Sequence, residues 1–119
     1  MVTGKRVVLG LLLLLVPAGG VAGAQRHRVD SQRVYVTCML QDTVRSVLYL
    51  SDEFQGFSSK KLDYETSYRT MLRENYPGVY GNATCSIWMN EVQAEHQTAA
   101  HVNRISGMFQ RIIPTRWVP

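Results

Sequence analysis

The fold of this chain is decided by the stretch VYVTCML, residues 34–40. β-Branched, aromatic and other apolar residues follow one another along it, which is typical of a strand that lies within a sheet. Because successive side chains of a strand point to opposite faces, Val34, Val36, Cys38 and Leu40 share one face. The stretch therefore predicts the first β-strand of the domain.

Three further segments predict strands that join the first. A turn at residues 41–43 leads to VLYL at residues 47–50, so the first two strands are expected to form an antiparallel hairpin. Residues 84–89 alternate in the same way and predict a third strand. Residues 109–113 predict the last strand. Pro114 favours an edge position for it, because proline has no backbone N–H to donate.

Two segments between these strands predict helices. Apolar side chains recur at helical spacing in the first, at Tyr64, Tyr68, Met71, Leu72 and Tyr76. Asp63 is a suitable N-cap for this helix, and Pro77 ends it. In the second, Asn90 is a suitable N-cap, with Gln93 at the third helical position, and the helix is expected to end near Ile105. The polar residues 52–61 predict a loop.

The predicted order is β-β-α-β-α-β over residues 34–119. This order favours a small, single α+β domain with a mainly antiparallel sheet and two helices packed on one face. Residues 25–33 are basic and polar and predict a flexible arm. The tyrosine stripe of the first helix is expected to pack in the core, and the alternative is a platform for a ligand.

Cys38 and Cys85 are the two cysteines of the chain. An even number of cysteines in an exported protein favours a disulfide, and the alternative is a pair of buried free thiols. The bond requires that the first and third strands be neighbours, because the Cα atoms of a disulfide lie only a few ångströms apart. There is no C-x-x-C pattern, so a redox-catalytic role is not expected.

Residues 1–24 have the pattern of a secretory signal peptide. Lys5 and Arg6 precede an apolar run, which Pro17 ends, and an A-x-A pattern finishes at Ala24. Cleavage is expected between Ala24 and Gln25, which predicts a periplasmic or secreted protein without stable membrane insertion. The alternative is a membrane anchor that is never removed.

Arginine dominates the charged surface that the sequence predicts. The net charge is +4, and two of these charges lie in the predicted leader, so no nucleic-acid partner is expected. The arginines outside the leader are Arg26, Arg28, Arg33, Arg45, Arg69, Arg73, Arg104, Arg111 and Arg116. Arginine binds carboxylates bidentately, and arginine and aromatic residues are enriched in protein interfaces. The candidate binding surface consists of Arg45, Tyr80, Trp88, Arg116 and Trp117; the alternative is scattered, solubilising charge.

Catalytic and metal-binding patterns are weak. His96 and His101 are five residues apart and so lie on different faces of their helix, and no metal site or cofactor is expected. Asp52, Glu53 and His96 are the candidate groups for a small hydrolase. Asn82 begins an N-glycosylation pattern, which is interpreted as accidental.

Four segments resemble a family of small exported Gram-negative bacterial proteins with two cysteines, a Tyr-x-Ser-Asp-x-Phe stretch and a Trp-x-Pro tail. They are residues 34–38 (VYVTC), 49–54 (YLSDEF), 84–88 (TCSIW) and 115–119 (TRWVP). The resemblance covers most of residues 25–119 and implies an envelope or secreted location, but no activity. The element order is also similar to that of the peptidoglycan-binding sporulation-related repeat domain, and this analogy alone does not establish a function.

Three functional hypotheses follow from the sequence. The first is a non-enzymatic periplasmic or secreted binding module whose partner is an envelope protein or a cell-wall glycan. The second is a small hydrolase that acts on envelope glycans or peptides. The third is a structural or envelope-stress protein without a specific ligand.

Overall fold

The computed structural model describes residues 32–119, so the predicted leader, its cleavage site and most of the basic arm lie outside the described residues. Within them, five strands form one sheet: β1 (Arg33–Asp42), β2 (Val47–Leu50), β3 (Phe54–Phe57), β4 (Ala83–Trp88) and β5 (Arg111–Pro114). The two helices are α1 (Lys61–Asn75) and α2 (Glu91–Ile105), and single turns of 3₁₀ helix cover Ser58–Lys60 and Ser106–Met108. The α+β class and the predicted order are confirmed, with β3 added where a loop was expected.

The long strand β1 organises the sheet. β4 pairs with it on one side, antiparallel, from Tyr35 to Leu40. On the other side β2 pairs with the second half of β1 and β3 with the first half, both antiparallel. β5 is parallel to β2 and pairs, among residues 32–119, with that strand alone, so the predicted edge position is confirmed.

One face of the sheet is covered by α1. Val34, Val36, Cys38 and Leu40, which were predicted to share one face of β1, are all buried there, together with Tyr64, Tyr68 and Leu72 of the helix. The Tyr68 hydroxyl lies 3.1 Å from Thr115 Oγ1, and the Tyr64 hydroxyl accepts a 3.0 Å hydrogen bond from the backbone N–H of Phe57. The tyrosine stripe is therefore part of the core, and its hydroxyls hold neighbouring segments in place.

The opposite face of the sheet is covered by α2. Thr37 lies between Val36 and Cys38, so its side chain points away from α1, and its Oγ1 is 3.2 Å from Thr98 Oγ1 of α2. The two helices thus lie on opposite faces, and the expectation that both pack on one face is wrong. The physical reason is that β1 is buried on both faces, since Thr37 is only 9% exposed, and each face needs a cover.

The N-cap predicted for α2 is confirmed, and the N-cap predicted for α1 is wrong. Asn90 Oδ1 accepts a 2.8 Å hydrogen bond from the backbone N–H of Gln93, as predicted, and the Gln93 side chain accepts one from the backbone N–H of Met89. In α1, Asp63 is not the cap, because the 3₁₀ turn before it leads directly into a helix that starts at Lys61. The Asp63 carboxylate lies instead in the first turn, where the helix dipole favours negative charge.

Cys38 and Cys85 form a disulfide with a Cα–Cα distance of 4.0 Å, and they face each other in the β1–β4 register. Their backbone N–H groups point away from each other: that of Cys38 donates to Ser51 Oγ and that of Cys85 to Glu65 Oε2. The pair therefore occupies a non-hydrogen-bonded position, where side chains of antiparallel strands approach most closely. This confirms the predicted bond.

Candidate anion-binding site

A short connection between α1 and β4 forms the centre of the candidate site. We call residues 76–82 the Tyr80 loop. Gly78 (φ +80°) and Gly81 (φ +116°) give it left-handed backbone turns that other residues adopt at a cost. At its start, the Tyr76 ring packs edge-on against Tyr49 with centroids 5.0 Å apart. These features fix the path of the loop along the end of the sheet.

A buried carboxylate at the end of β1 holds the loop in place through a hydrogen bond. Asp42, the last residue of β1, is fully buried. Its Oδ2 accepts a 3.0 Å hydrogen bond from the backbone N–H of Tyr80, and its Oδ1 accepts two, from Val44 at 3.0 Å and Arg45 at 2.9 Å. Three backbone donors thus satisfy one buried charge, as a buried carboxylate requires.

The two glycines of the loop are needed for close approach as well as for their backbone angles. A Cβ atom on Gly81 would lie 3.0 Å from the carbonyl oxygen of Gln41, and one on Gly78 would overlap the Arg45 guanidinium. Arg45 Nε instead donates a 2.7 Å hydrogen bond to the Gly78 carbonyl. The loop and the β1–β2 turn are therefore packed directly onto each other.

On one side of the loop lies a hollow of about 370 Å³, which we call the Tyr80 cleft. It is lined by Arg69, Arg73, Val79, Tyr80, Gly81 and Asn82. The two arginines are one turn apart on α1, so their side chains lie on the same helix face. Tyr80 is 58% exposed and presents its ring to solvent at the rim. The cleft combines two cations, an aromatic ring and a carboxamide.

Arg69 carries an unsatisfied donor. Its Nε is the only buried side-chain nitrogen or oxygen within residues 32–119 that has no hydrogen-bond partner. Glu65, one helical turn before Arg69, is already engaged, because Lys61 Nζ and the backbone N–H of Cys85 both donate to its Oε2 at 2.8 Å. An unpaired buried donor costs about 1–3 kcal/mol, so native structures rarely keep one without a reason.

The Glu65 carboxylate is a fixed charge in this region. Burial would raise its pKa, but the hydrogen bonds from Lys61 and Cys85 outweigh burial, and the pKa is lowered. Glu65 therefore stays ionised at neutral pH and bound to these two donors. It leaves the guanidinium of Arg69 without a carboxylate partner in the described part of the chain.

On the other side of the loop lies a second hollow of about 390 Å³, which we call the Arg111 cleft. It is lined by Arg45, Val47, Tyr49, Tyr76, Pro77, Arg111 and Ile113. Burial, together with the charge of Asp42, raises the pKa of Tyr49, so its phenol keeps its proton at neutral pH and can donate a hydrogen bond. This cleft again combines two arginines with tyrosines.

A third hollow, of about 440 Å³, lies between α2 and the β2–β3 connection and is acidic. Asp52 and Glu53 both line it, but the Asp52 carboxylate pairs with Arg116 Nε at 2.9 Å. Burial, with the charges of Glu91 and Glu95, raises the pKa of Glu53. The third predicted hydrolase group, His96, is exposed and is not part of the lining.

The structure separates the five residues of the predicted binding surface. Arg45 lines the Arg111 cleft, whereas Tyr80 lines the Tyr80 cleft. Trp88 lies on the α2 face, where its indole N–H donates a 3.4 Å hydrogen bond to Thr37. Arg116 pairs with Asp52, and Trp117 packs against Phe54 and Tyr68 of the core.

Four cleft residues were not grouped into a site from the sequence: Arg69, Arg73, Asn82 and Arg111. A signal for two of them exists, because Arg69 and Arg73 are spaced by four residues on a helix and lie beside its tyrosine stripe. No such signal links them to Asn82 or Arg111. No group of three or more histidine, cysteine or acidic side chains within residues 32–119 is arranged to hold a metal ion.

No helix within residues 32–119 has both the length and the apolar character to cross a membrane. The disulfide fits an extracytoplasmic location, because such bonds persist in oxidising compartments. Comparison with protein families, curated proteins and solved structures finds no match to this chain.

Proposed function

We propose that this protein is a non-enzymatic binding module, periplasmic or secreted after cleavage between Ala24 and Gln25, that binds a carboxylate-bearing cell-wall glycan in the Tyr80 cleft. The observation that carries the proposal is Arg69, which lines this cleft, has no ion-pair partner within residues 32–119 and keeps a buried Nε without a hydrogen-bond partner. A ligand carboxylate bound to this guanidinium gains charge-assisted hydrogen bonds.

The other side chains of the cleft supply the remaining contacts. A guanidinium binds a carboxylate through two parallel N–H groups, and Arg73 adds a second cation one helical turn from Arg69. The exposed ring of Tyr80 offers an apolar surface to the C–H face of a sugar. The carboxamide of Asn82 both donates and accepts, as a sugar hydroxyl does.

The size of the cleft favours a glycan over a protein partner. A volume of about 370 Å³ is at the small end of ligand pockets and suits one or two sugar rings. A stable protein complex needs about 800 Å² on each side, and this site is a local hollow between a helix and a loop. The export signal, the disulfide and the resemblance to envelope proteins support a ligand outside the cytoplasm.

The experiment is sedimentation of the purified, disulfide-bonded protein with isolated cell-wall sacculi. The protein should pellet with sacculi and stay in solution when the wall carboxylates have been amidated. Arg69→Gln should weaken binding about tenfold or more, the value of one lost hydrogen bond between charged groups. Arg104→Gln is the matched control, because this exposed arginine lies on α2, across the sheet from the cleft.

Two outcomes of the sedimentation experiment would contradict the proposal. One is equal binding to native and amidated sacculi, and the other is equal binding by the Arg69→Gln and Arg104→Gln variants. Preferential binding of an acidic peptide, such as oligoglutamate, would instead identify a protein as the partner and would also overturn it.

A further inference from the structure

The two basic clefts share one wall. Tyr76 and Pro77, at the start of the Tyr80 loop, line the Arg111 cleft, and residues 79–82, at its end, line the Tyr80 cleft. Between them, the Gly78 carbonyl accepts the hydrogen bond from Arg45 Nε. The two clefts are therefore lined by adjacent residues of one short loop, on either side of Gly78 in the sequence.

Both clefts offer cations that are not neutralised. Three ion pairs occur within residues 32–119, and none of them involves Arg69, Arg73 or Arg111. The fourth arginine, Arg45, has an acid within 4.0 Å, Asp42 at 3.9 Å. That carboxylate is already bonded to three backbone N–H groups. Each cleft is therefore lined by at least one arginine that forms no ion pair within residues 32–119.

The positions of both clefts depend on the same anchor. Asp42 Oδ1 holds the backbone of Arg45, which belongs to the Arg111 cleft, and Asp42 Oδ2 holds the backbone of Tyr80, which belongs to the other. A fixed spacing between two subsites lowers the ordering cost of a ligand that occupies both. The arrangement suits a ligand whose charges repeat along its length.

We infer that the two clefts are subsites for one ligand, a linear glycan that carries a carboxylate on successive sugars and crosses the Tyr80 loop. The inference rests on the proposed function and extends it, because it specifies a repeating polyanion instead of a single acidic group. Linking two such groups makes the second contact intramolecular, which raises affinity by a factor of about 10²–10⁴.

Oligogalacturonates of one to six units are the probe, since each sugar carries one carboxylate, and binding is measured by calorimetry at low salt and at about 0.15 M salt. The affinity of the unmodified protein should rise by about 100-fold or more once the chain reaches both clefts. Arg111→Gln should remove this rise, and the variant should still bind the monomer in the Tyr80 cleft. Arg104→Gln should bind like the unmodified protein at every length.

The result separates the two proposals. If affinity does not rise with chain length, or if Arg111→Gln binds like Arg104→Gln, the two-subsite inference is wrong. The proposed function still stands in that case if Arg69→Gln weakens monomer binding. If no oligomer binds and the protein does not pellet with sacculi, both proposals fail. Because the side chain of Arg111 is exposed and forms no ion pair or hydrogen bond within residues 32–119, unchanged circular dichroism is expected for its variant.

Discussion

The carboxylate of Asp42 accepts a hydrogen bond from the backbone N–H of Tyr80 at 3.0 Å, across 38 residues of sequence. This contact ties the end of the central strand to the loop between the two basic clefts. The same carboxylate holds the β1–β2 turn through Val44 and Arg45. One buried side chain thus links the stability of the domain to the shape of its candidate site.

Replacing Asp42 with asparagine should therefore destabilise the protein by about 2 kcal/mol or more. The asparagine NH₂ would face at least one backbone N–H that the carboxylate now accepts, and an unsatisfied buried donor costs about 1–3 kcal/mol. The free energy of unfolding is measured by urea denaturation. Asp63→Asn, an exposed position on α1, is the matched control and should differ little from the unmodified protein. Equal transition midpoints for both variants would contradict the role given to Asp42.

Removing the disulfide should have a larger effect. The bond closes a loop with a sequence separation of 47 residues, for which the chain-entropy model gives about 4 kcal/mol of stability. The Cys38→Ala/Cys85→Ala double variant should lose about this amount in a denaturation experiment without reductant. The unmodified protein in reductant should approach the same stability once both sulfurs are reduced. A double variant as stable as the oxidised protein would show that the cross-link is dispensable.

Two glycine substitutions distinguish a strained site from a free one. Gly81→Ala should cost about 1–3 kcal/mol, because its φ is +116° and the new Cβ would lie 3.0 Å from the Gln41 carbonyl oxygen. Gly107→Ala should be neutral or slightly stabilising, since nothing lies within 4 Å of its added Cβ and alanine restricts the unfolded chain. Thermal melting of the two variants side by side measures the difference. A Gly81→Ala variant that melts at a higher temperature than Gly107→Ala would rule out the loop geometry described here.

The pH dependence of stability should reveal the acidic hollow at α2. Burial and the charges of Glu91 and Glu95 raise the pKa of Glu53, so folding favours its protonated form. Its contribution to stability is present below the ordinary value of 4.5 and is lost as pH rises through the folded pKa. Glu53→Gln should therefore raise the melting temperature at pH 7, and this gain should disappear below about pH 4.

Glu65→Gln should show the opposite behaviour and serves as the comparison. Hydrogen bonds from Lys61 and Cys85 outweigh burial and lower the pKa of Glu65. Its contribution is present above 4.5 and is lost as pH falls through the folded pKa, so the variant should be less stable at pH 7 and nearly equal at low pH. If Glu53→Gln and Glu65→Gln both raised or both lowered the stability at pH 7, the pKa shifts described for the two carboxyl groups would be wrong.

Much of the local structure could be predicted from residues close together in sequence. The alternation in residues 34–40 predicted a strand with Val36 and Cys38 on one shared face, and Asn90 with Gln93 marked the start of α2. The cysteine pairing followed from two strands that each carry one cysteine. β3 was missed because Phe54–Phe57 is short and contains Gly56, whose missing Cβ leaves room for the Tyr64 ring from α1.

The sequence by itself determined four of the five strands within residues 32–119, the two helices, the tyrosine core and the pair of cysteines, because each depends on periodicity or on the chemistry of neighbouring residues. Only the tertiary structure decided which face α2 covers and which arginines meet Tyr80. Thr37 contacts Thr98, and Asp42 accepts a hydrogen bond from Tyr80, although tens of residues separate the partners in sequence. Contacts of this kind produce no periodic pattern in the sequence from which they could be predicted. They form because the sheet buries both of its faces and because a buried carboxylate must find donors wherever the fold places them.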